Sequence, residues 1–344
     1  MKKLLRKLCL AFGPSGLEDR VSAIIEGELL ASMPENSEII RDNLGGIYLH
    51  IKNEGAPRLM ISAHMDEVGF MVTAICEDGT LKFGPVGGVN PLILSAKQVI
   101  FENGVRGVIS SKPIHLLSRE ERETRTEIKD MYVDIGATSK ENAMTLVKIG
   151  DYFTFDSAFV EMGDNKIKAK ALDDRHGCCI MLSAIRQIKE KGLKSKYDLY
   201  FAFTTREEVG FSGAHCATEI IQPDYAIVIE SKAVLNLPGI DDDRCVGVLG
   251  EGALISYADC GAIMDRALTD KIIEICVKNE IKHQINRSVS GGNDSSNIQR
   301  GARGAKVALV SAPSRYIHSS ASVVSYGDLE QILKIITLFV TQGE

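Results

Sequence analysis

Residues 199–210, LYFAFTTREEVG, join an apolar run of strand length to two adjacent acids and a glycine. The apolar run predicts a strand that is buried on both faces of a sheet. Neighbouring side chains on an extended chain point to opposite faces, so Glu207 and Glu208 are expected to face in opposite directions. Two carboxylates side by side at the end of a buried strand repel each other, and this repulsion is tolerable only if cations lie close by.

Strands and helices alternate around this stretch. Segments 224–231 and 305–313 have the composition of buried strands, whereas 173–192 and 328–342 have helical periodicity. Such alternation predicts an α/β fold, in which a mostly parallel mixed sheet is covered by helices on both faces.

A β-rich insert is predicted to interrupt this α/β fold. Residues 70–165 contain strand-length pieces separated by Gly-rich turns, with little helical periodicity. We therefore predict one α/β domain made of residues 1–69 and 166–344, and an inserted domain at 70–165. The insert carries a charged segment, 118–130, that is expected to be a solvated helix face or a loop.

The composition argues against several functional classes. The 344 residues carry a formal net charge of −6, which argues against a nucleic-acid-binding surface. No apolar run approaches the roughly 18 residues that a membrane helix needs, and the basic, apolar start is expected to be an amphipathic first helix rather than a signal peptide. The eight cysteines contain no C-x-x-C pair, so we expect free thiols in a reducing cytoplasm.

A G-P-S-G turn at residues 13–16 separates the first predicted helix from the second. Ser15 and Glu18 have the spacing of a capping box, in which two side chains satisfy the free N–H groups at the start of a helix. We therefore expect both side chains to cap the second helix.

Polar side chains follow the predicted core strands at the point where each strand ends. In an open α/β sheet, the carboxyl ends of the strands form the crevice where ligands bind. A further acidic pair stands just before a long helix. The residues expected to converge are His64, Asp66, Asp173, Asp174, Glu207, Glu208, Glu230 and His318.

The charges of this set predict a metal centre. Six carboxylates would lie near two histidines, with only Arg175 and Arg206 close by in sequence. Buried charge is costly unless it is paired or coordinates a metal, and two divalent cations would balance this excess. Mixed imidazole and carboxylate ligands suit zinc, cobalt or manganese. Asp66 lies two residues after His64, where its carboxylate can orient a metal-binding imidazole.

Taken singly, these residues have structural explanations. Asp173 and Asp174 are equally compatible with a helix cap, and Glu207 and Glu208 with a solvated turn. The coincidence of five such signals at the expected positions favours a functional site.

The motifs SAHMDEVGF, KALDDRHG, TTREEVGFSGA, GGNDSS and RYIHS, in this order, resemble those of the tetrahedral and glutamyl aminopeptidases. These enzymes form family forty-two of the metallopeptidases, and some members were once labelled endoglucanases. The resemblance implies a phosphorylase- or hydrolase-like α/β catalytic domain, interrupted by a PDZ-like β-barrel insert that mediates dimerisation. It also implies dimers that assemble into a dodecamer.

The same resemblance implies a role for each site residue. Asp173 would bridge two metal ions and precede a cis peptide bond to Asp174. Glu207 would be the general base, and Asp66 would orient one metal-binding histidine. The remaining ligands are assigned as one pair for each metal, His64 with Glu230 and Glu208 with His318.

The expected activity is the metal-dependent removal of N-terminal residues from peptides, because a crowded negative wall attracts a free α-ammonium group. Three alternatives stay open: an N-acyl amino acid or peptide deacylase of the same fold, an endoglucanase-type glycosidase, and a non-catalytic scaffold. Glu230 stands where many proteins of the wider clan carry Asp, and Asn293 and Ser295 depart from the Thr-Asp-Ala-Gly-type stretch common in relatives. The physiological metal and the preferred N-terminal residue are therefore left open.

Overall fold

Two sheets dominate the computed structural model, which describes residues 1–119, 127–234, 238–239, 246–301 and 303–342. The strands are β1 Ser37–Arg41, β2 Ile47–Ile51, β3 Arg58–His64, β4 Gly69–Ile75, β5 Leu81–Val86, β6 Gln98–Phe101, β7 Arg106–Ser111, β8 Met131–Asp134, β9 Tyr152–Phe155, β10 Val160–Met162, β11 Lys166–Ala169, β12 Asp198–Thr204, β13 Tyr225–Ala233, β14 Ala253–Ser256, β15 His283–Ile285, β16 Lys306–Arg315 and β17 Ser322–Ser325. The α-helices are α1 Lys2–Leu10, α2 Asp19–Ser32, α3 Lys140–Leu146, α4 Leu172–Glu190, α5 Ser212–Ile221, α6 Arg266–Lys278, α7 Ser295–Arg300 and α8 Tyr326–Gln342.

The larger sheet is mixed, and its main path has parallel strands only around its centre. This path runs β1-β2-β12-β3-β13-β16-β17-β11-β10; β14 pairs with β16 beside it, and β15 pairs in parallel with β14. Strands β12, β3, β13 and β16 pair in parallel, whereas both ends of the path are antiparallel. The expectation of an α/β fold with a mixed sheet is therefore confirmed, but the sheet is not mostly parallel, because parallel pairing is confined to the four central strands and to β14 with β15. The carboxyl ends of the four central strands lie at one edge.

Both faces of the central strands are buried, which explains why their sequences are apolar without alternation. On β3, Leu59 and Ile61 pack into one apolar cluster with helices α1, α2, α4, α6 and α8. Met60, between them, points into a second cluster with α5 and α7. Each strand thus supplies side chains alternately to two helical layers.

The smaller sheet closes into a barrel in the order β4-β5-β8-β7-β6-β9. Its interior is filled by packed aromatic rings, including Phe70, Phe101 and Phe153. The predicted β-rich insert is therefore present as a closed barrel. The exact domain limits, and the likeness to PDZ and phosphorylase folds, stay predictions; β10, inside the predicted insert, pairs with β11 in the larger sheet.

Two local expectations are wrong. Ser15 and Glu18 do not cap α2, which begins at Asp19 without a side-chain cap. Glu207 and Glu208 do not lie on extended chain, because β12 ends at Thr204 and residues 207–210 form a turn. Both corrections concern the same part of the molecule. The carboxylate of Glu18 accepts a hydrogen bond from the N–H of Arg206, just before this turn, instead of capping its own helix.

The remaining expectations concern composition and charge. Among the described residues no helix is long and apolar enough to cross a membrane. The seven cysteines in the described ranges are all free thiols. Residues 120–126 of the charged segment lie outside the described residues.

Candidate active site

The residues expected to converge do meet at the carboxyl edge of the central strands. His64 is the last residue of β3, Glu230 lies near the end of β13, and His318 follows β16. Glu207 and Glu208 stand in the turn after β12. Asp173 and Asp174 lie at the start of α4 and are joined by a cis peptide bond.

Asp173 lies between the two histidines and faces each with a different oxygen. Its Oδ1 is 3.4 Å from Nε2 of His64, and its Oδ2 is 3.4 Å from Nε2 of His318. A second carboxylate accompanies each histidine: Oε1 of Glu230 is 3.7 Å from His64 Nε2, and Oε2 of Glu208 is 3.2 Å from His318 Nε2. One carboxylate thus connects two adjacent groups of nitrogen and oxygen donors.

Three overlapping groups of side chains are close enough to share a metal ion, with donor atoms within 4.8 Å of one another. They are Asp173 with Glu208 and His318, His64 with Asp174 and Glu230, and His64 with Glu207 and Glu208. Asp173 belongs to the first group, and its Oδ1 faces His64 of the second. The third shows that Glu207 also lies close to this centre.

Buried carboxylate oxygens without hydrogen-bond partners indicate that cations fit here. Asp173 Oδ1, Asp174 Oδ2 and Glu230 Oε2 are buried and have no hydrogen-bond partner among the described residues. A buried polar atom without a partner costs about 1–3 kcal/mol, and more when it is charged. Divalent cations would satisfy these oxygens, and mixed imidazole and carboxylate donors suit zinc, cobalt or manganese.

The pKa values show the same excess of negative charge. Burial raises the pKa of Glu230 to about 8, with a further contribution from nearby Asp173. Burial likewise raises the pKa of Glu207 well above its usual range. Burial would lower the pKa of His318, but Asp173 and Glu208 raise it to about 11. The site therefore attracts positive charge, whether as protons or as metal ions.

Asp66 connects one histidine to the acidic turn. Its Oδ1 lies 3.3 Å from Nδ1 of His64 and accepts the backbone N–H of Glu207 at 3.0 Å. Its Oδ2 accepts the backbone N–H of Glu208 at 3.1 Å and the hydroxyl of Ser15 at 2.6 Å. This fully buried carboxylate thus lies beside the ring of His64 and holds the backbone of the turn.

The barrel orients the other histidine. Nδ1 of His318 lies 2.6 Å from the carbonyl oxygen of Gly88, in the loop after β5. A carbonyl oxygen only accepts hydrogen bonds, so Nδ1 is the donor and Nε2 is left to face Asp173 and Glu208. No sequence pattern points to Gly88, because its contribution is a backbone atom.

A cavity of about 480 Å³ opens beside these residues. Two residues near the site were not singled out from the sequence: Lys232 in the cavity lining and Asp294 close to Glu207. Lys232 lies two residues beyond Glu230 on β13, and its ammonium donates a hydrogen bond to the carbonyl of Ser290. Asp294 is buried and accepts the hydroxyl of Thr204 at 2.6 Å, and burial raises its pKa to about 6. Side chains two residues apart on a strand share a face, so the position of Glu230 could have pointed to Lys232. Asp294 lies within the GGNDSS motif.

Known proteins share this arrangement of sequence and fold. The family model described as M42 glutamyl aminopeptidase matches residues 45–335. The lysyl aminopeptidase of Pyrococcus furiosus is 31% identical over 97% of this chain and 94% of its own length. The TET aminopeptidase from a marine sediment Thaumarchaeota archaeon is 32% identical, covers 99% of this chain and 96% of its own, and superposes with a TM-score of 0.95. The TET1 peptidase of Pyrococcus horikoshii, which can assemble into a tetrahedron or a large octahedral shell, is 33% identical over 99% of both chains, with a TM-score of 0.87.

Removal of ligand side chains tests the candidate metal centre. Asp173→Ala and His64→Ala are expected to lower the metal bound per chain, with the larger loss for Asp173, because its oxygens face both histidines. Elemental analysis after loading with zinc and dialysis measures the stoichiometry. His283→Ala, on the edge strand β15, is the matched control and should bind as much metal as the wild type. Unchanged metal content in both ligand variants would contradict the assignment.

Proposed function

This chain belongs to the M42 glutamyl aminopeptidase family, and from that membership we propose an aminopeptidase that uses two divalent metal ions with Glu207 as general base. The observation that carries the proposal is the position of Asp173, whose two oxygens face two different histidines. A carboxylate in this position suits a bridge between two cations.

Five side chains would hold the metal ions. Asp173 would be shared, His64 and Glu230 would complete one set of donors, and Glu208 and His318 the other. Divalent ions at these donors supply Lewis acidity, which polarises a carbonyl group and lowers the pKa of bound water from 15.7 to about 7.

Glu207 is suited to proton transfer. Its carboxylate is largely buried, and burial raises its pKa well above its usual range, which makes it a stronger proton acceptor than a solvated carboxylate. Two hydrogen bonds from the turn to Asp66 fix its backbone. Glu207 would accept a proton from the attacking water and deliver it to the nitrogen of the leaving amine.

The charges around the cavity favour a free amino terminus as the group recognised. Glu207, Glu208 and Glu230 form an acidic wall on one side of the cavity, which attracts an α-ammonium group. A carboxypeptidase would instead need an arginine to bind the terminal carboxylate in two-point contact. The described residues lining the cavity include no arginine.

Lys232 favours an acidic side chain at the substrate's first residue. It is the only lysine or arginine among the described residues of the cavity lining. Its ammonium is half-buried, and burial lowers its pKa. A carboxylate on the substrate would relieve this cost by pairing with it. The family name mentions glutamyl and the Pyrococcus furiosus relative is a lysyl enzyme, so the names of relatives do not decide the preference.

The substrates would be peptides, and the chain would act as a homo-oligomer. The TET1 peptidase shares the fold over 99% of both chains and forms closed shells. We propose assembly from dimers, with the barrel as the dimerisation domain. The position of Gly88 against His318 supports a barrel that stays fixed to the catalytic domain.

Hydrolysis of aminoacyl-p-nitroanilides tests the activity and its dependence on metal. Cleavage of substrates with free amino groups should stop after chelation and return with zinc, cobalt or manganese, because the acidic centre needs cations. Better cleavage of N-acylated amino acids would favour the deacylase. Hydrolysis of a cellulose-derived substrate that survives chelation would favour the glycosidase, and bound metal without turnover the scaffold.

Replacement of the base separates chemistry from metal binding. Glu207→Gln should lower kcat by about 10²–10⁴-fold, because the amide cannot accept the proton, while metal content and fold are kept. Steady-state kinetics and elemental analysis on the same sample measure both. Glu274→Gln, an exposed position on α6, is the control. Full activity in Glu207→Gln would show that another group is the base.

Replacement of Lys232 tests the preference for acidic residues. We expect the wild type to cleave glutamyl-p-nitroanilide faster than glutaminyl-p-nitroanilide. Lys232→Met should reduce this ratio of kcat/KM by about tenfold to a hundredfold, the value of one charged hydrogen bond, while the glutaminyl substrate is cleaved as before. An unchanged ratio would show that Lys232 does not select the side chain.

A further inference from the structure

The turn that carries Glu207 is held by carboxylates along its backbone. Three successive peptide N–H groups point to side-chain oxygens: Glu207 and Glu208 to the two oxygens of Asp66, and Arg206 to Oε1 of Glu18 at 3.1 Å. Arg206 adopts a left-handed backbone conformation, with φ of 56°, which a residue with a side chain takes only when its surroundings fix it. The residue in this conformation, Arg206, is also the one whose N–H donates the hydrogen bond to Glu18.

Glu18 reaches the turn from a distant part of the sequence. The same Oε1 atom accepts the N–H of Gly16 at 2.8 Å, which fixes the side chain above the G-P-S-G turn. The hydroxyl of Ser15, in that turn, donates to Asp66 at 2.6 Å. Ser15 therefore donates a hydrogen bond to Asp66, and Glu18 accepts one from Arg206, so both residues support the turn that carries Glu207.

This segment is itself tied to the connection that follows β3, the strand that ends at His64. The N–H of Ser15 donates to the carbonyl of Glu67 at 3.2 Å, and the N–H of Glu67 donates to the carbonyl of Gly13 at 3.1 Å. Both Ser15 and Glu18 are almost fully buried. The G-P-S-G segment is therefore anchored beside Asp66 and is not a mobile connection between helices.

Burial of a second carboxylate beside Asp66 calls for an explanation. Glu18 is 5% exposed and makes hydrogen bonds only to backbone N–H groups in the described part of the chain. No described lysine, arginine or histidine lies in an ion pair with it. Burial of an unpaired acid costs free energy, which its hydrogen bonds to the N–H groups of Gly16 and Arg206 offset. Its contact with the residue before Glu207 gives it a task that an apolar residue could not perform.

We propose that Glu18 is a positioning residue for the general base: through the N–H of Arg206 it fixes the turn that places Glu207. This inference rests on the proposed function, since it assumes that Glu207 is the base. Loss of the hydrogen bond would let the left-handed residue relax and move Glu207 away from its productive position. A misplacement of about 1 Å at a reacting group can cost on the order of a hundredfold in rate.

Kinetics of Glu18 variants test the proposal in the full-length enzyme, with the wild type first shown to cleave the p-nitroanilide panel. Glu18→Ala is expected to lower kcat by about tenfold to a hundredfold, with KM within about twofold and metal content unchanged. Glu18→Gln keeps an oxygen that can accept both N–H groups, so its kcat should lie within about threefold of the wild type. Glu26→Ala on α2, the helix that begins directly after Glu18, is the matched control, because Glu26 pairs with Arg41 at the surface.

A merely structural role would give a different pattern. Three outcomes would overturn the proposal. The first is a loss of kcat in Glu18→Ala that parallels a loss of bound metal. The others are an equal loss of kcat in Glu18→Gln, and a wild-type kcat in Glu18→Ala. If Glu18→Ala does not fold, Glu18→Asp replaces it, because the shorter side chain keeps the charge but withdraws the oxygen. A lower kcat for Glu18→Asp than for Glu18→Gln supports positioning, and the reverse order overturns it. An inactive wild type would instead count against the proposed function.

Discussion

The concentration of buried carboxylates at one edge of the sheet is the constraint on which the rest of the structure depends. Burial raises the pKa of Glu207 and Glu230, so the folded chain holds these acids against a free-energy cost. Cations would remove much of that cost, and under the proposed function Asp173 would serve two of them. The fold is organised so that the acids meet, although they come from segments far apart in sequence.

Strands, backbone hydrogen bonds and the barrel hold the acidic side chains in place despite this cost. The central parallel strands, buried on both faces, place His64 and Glu230 at neighbouring positions of one edge. Asp66 then links His64 to the turn after β12 through two backbone N–H groups. The barrel contributes at the other end, because the carbonyl of Gly88 fixes the ring of His318. The α/β part of the chain and the barrel are therefore both needed to build one site. The barrel interrupts the α/β fold in sequence but contributes a backbone contact to its site.

The sequence predicts the elements of this site better than their local conformation. Strand-end polar residues follow from the period of two and from the common edge of parallel strands, so His64 and Glu230 could be placed together. Glu207 and Glu208 were expected on extended chain, but Arg206 in a left-handed conformation turns the backbone before them. Glu18 was expected to cap its own helix, because capping-box spacing is a local signal. Its actual partner is 188 residues away, and no local pattern encodes such a contact.

Register along β13 connects chemistry to selectivity. Glu230 and Lys232 are two residues apart on one strand, so their side chains emerge on the same face, toward the same cavity. Under the proposed function, the first would hold a metal ion and the second would contact the substrate's side chain. A shift of the strand by one residue would turn both side chains to the opposite face. Parallel pairing of β13 with β3 and β16 fixes this register, so the same backbone hydrogen bonds that build the core also keep Glu230 and Lys232 on one side.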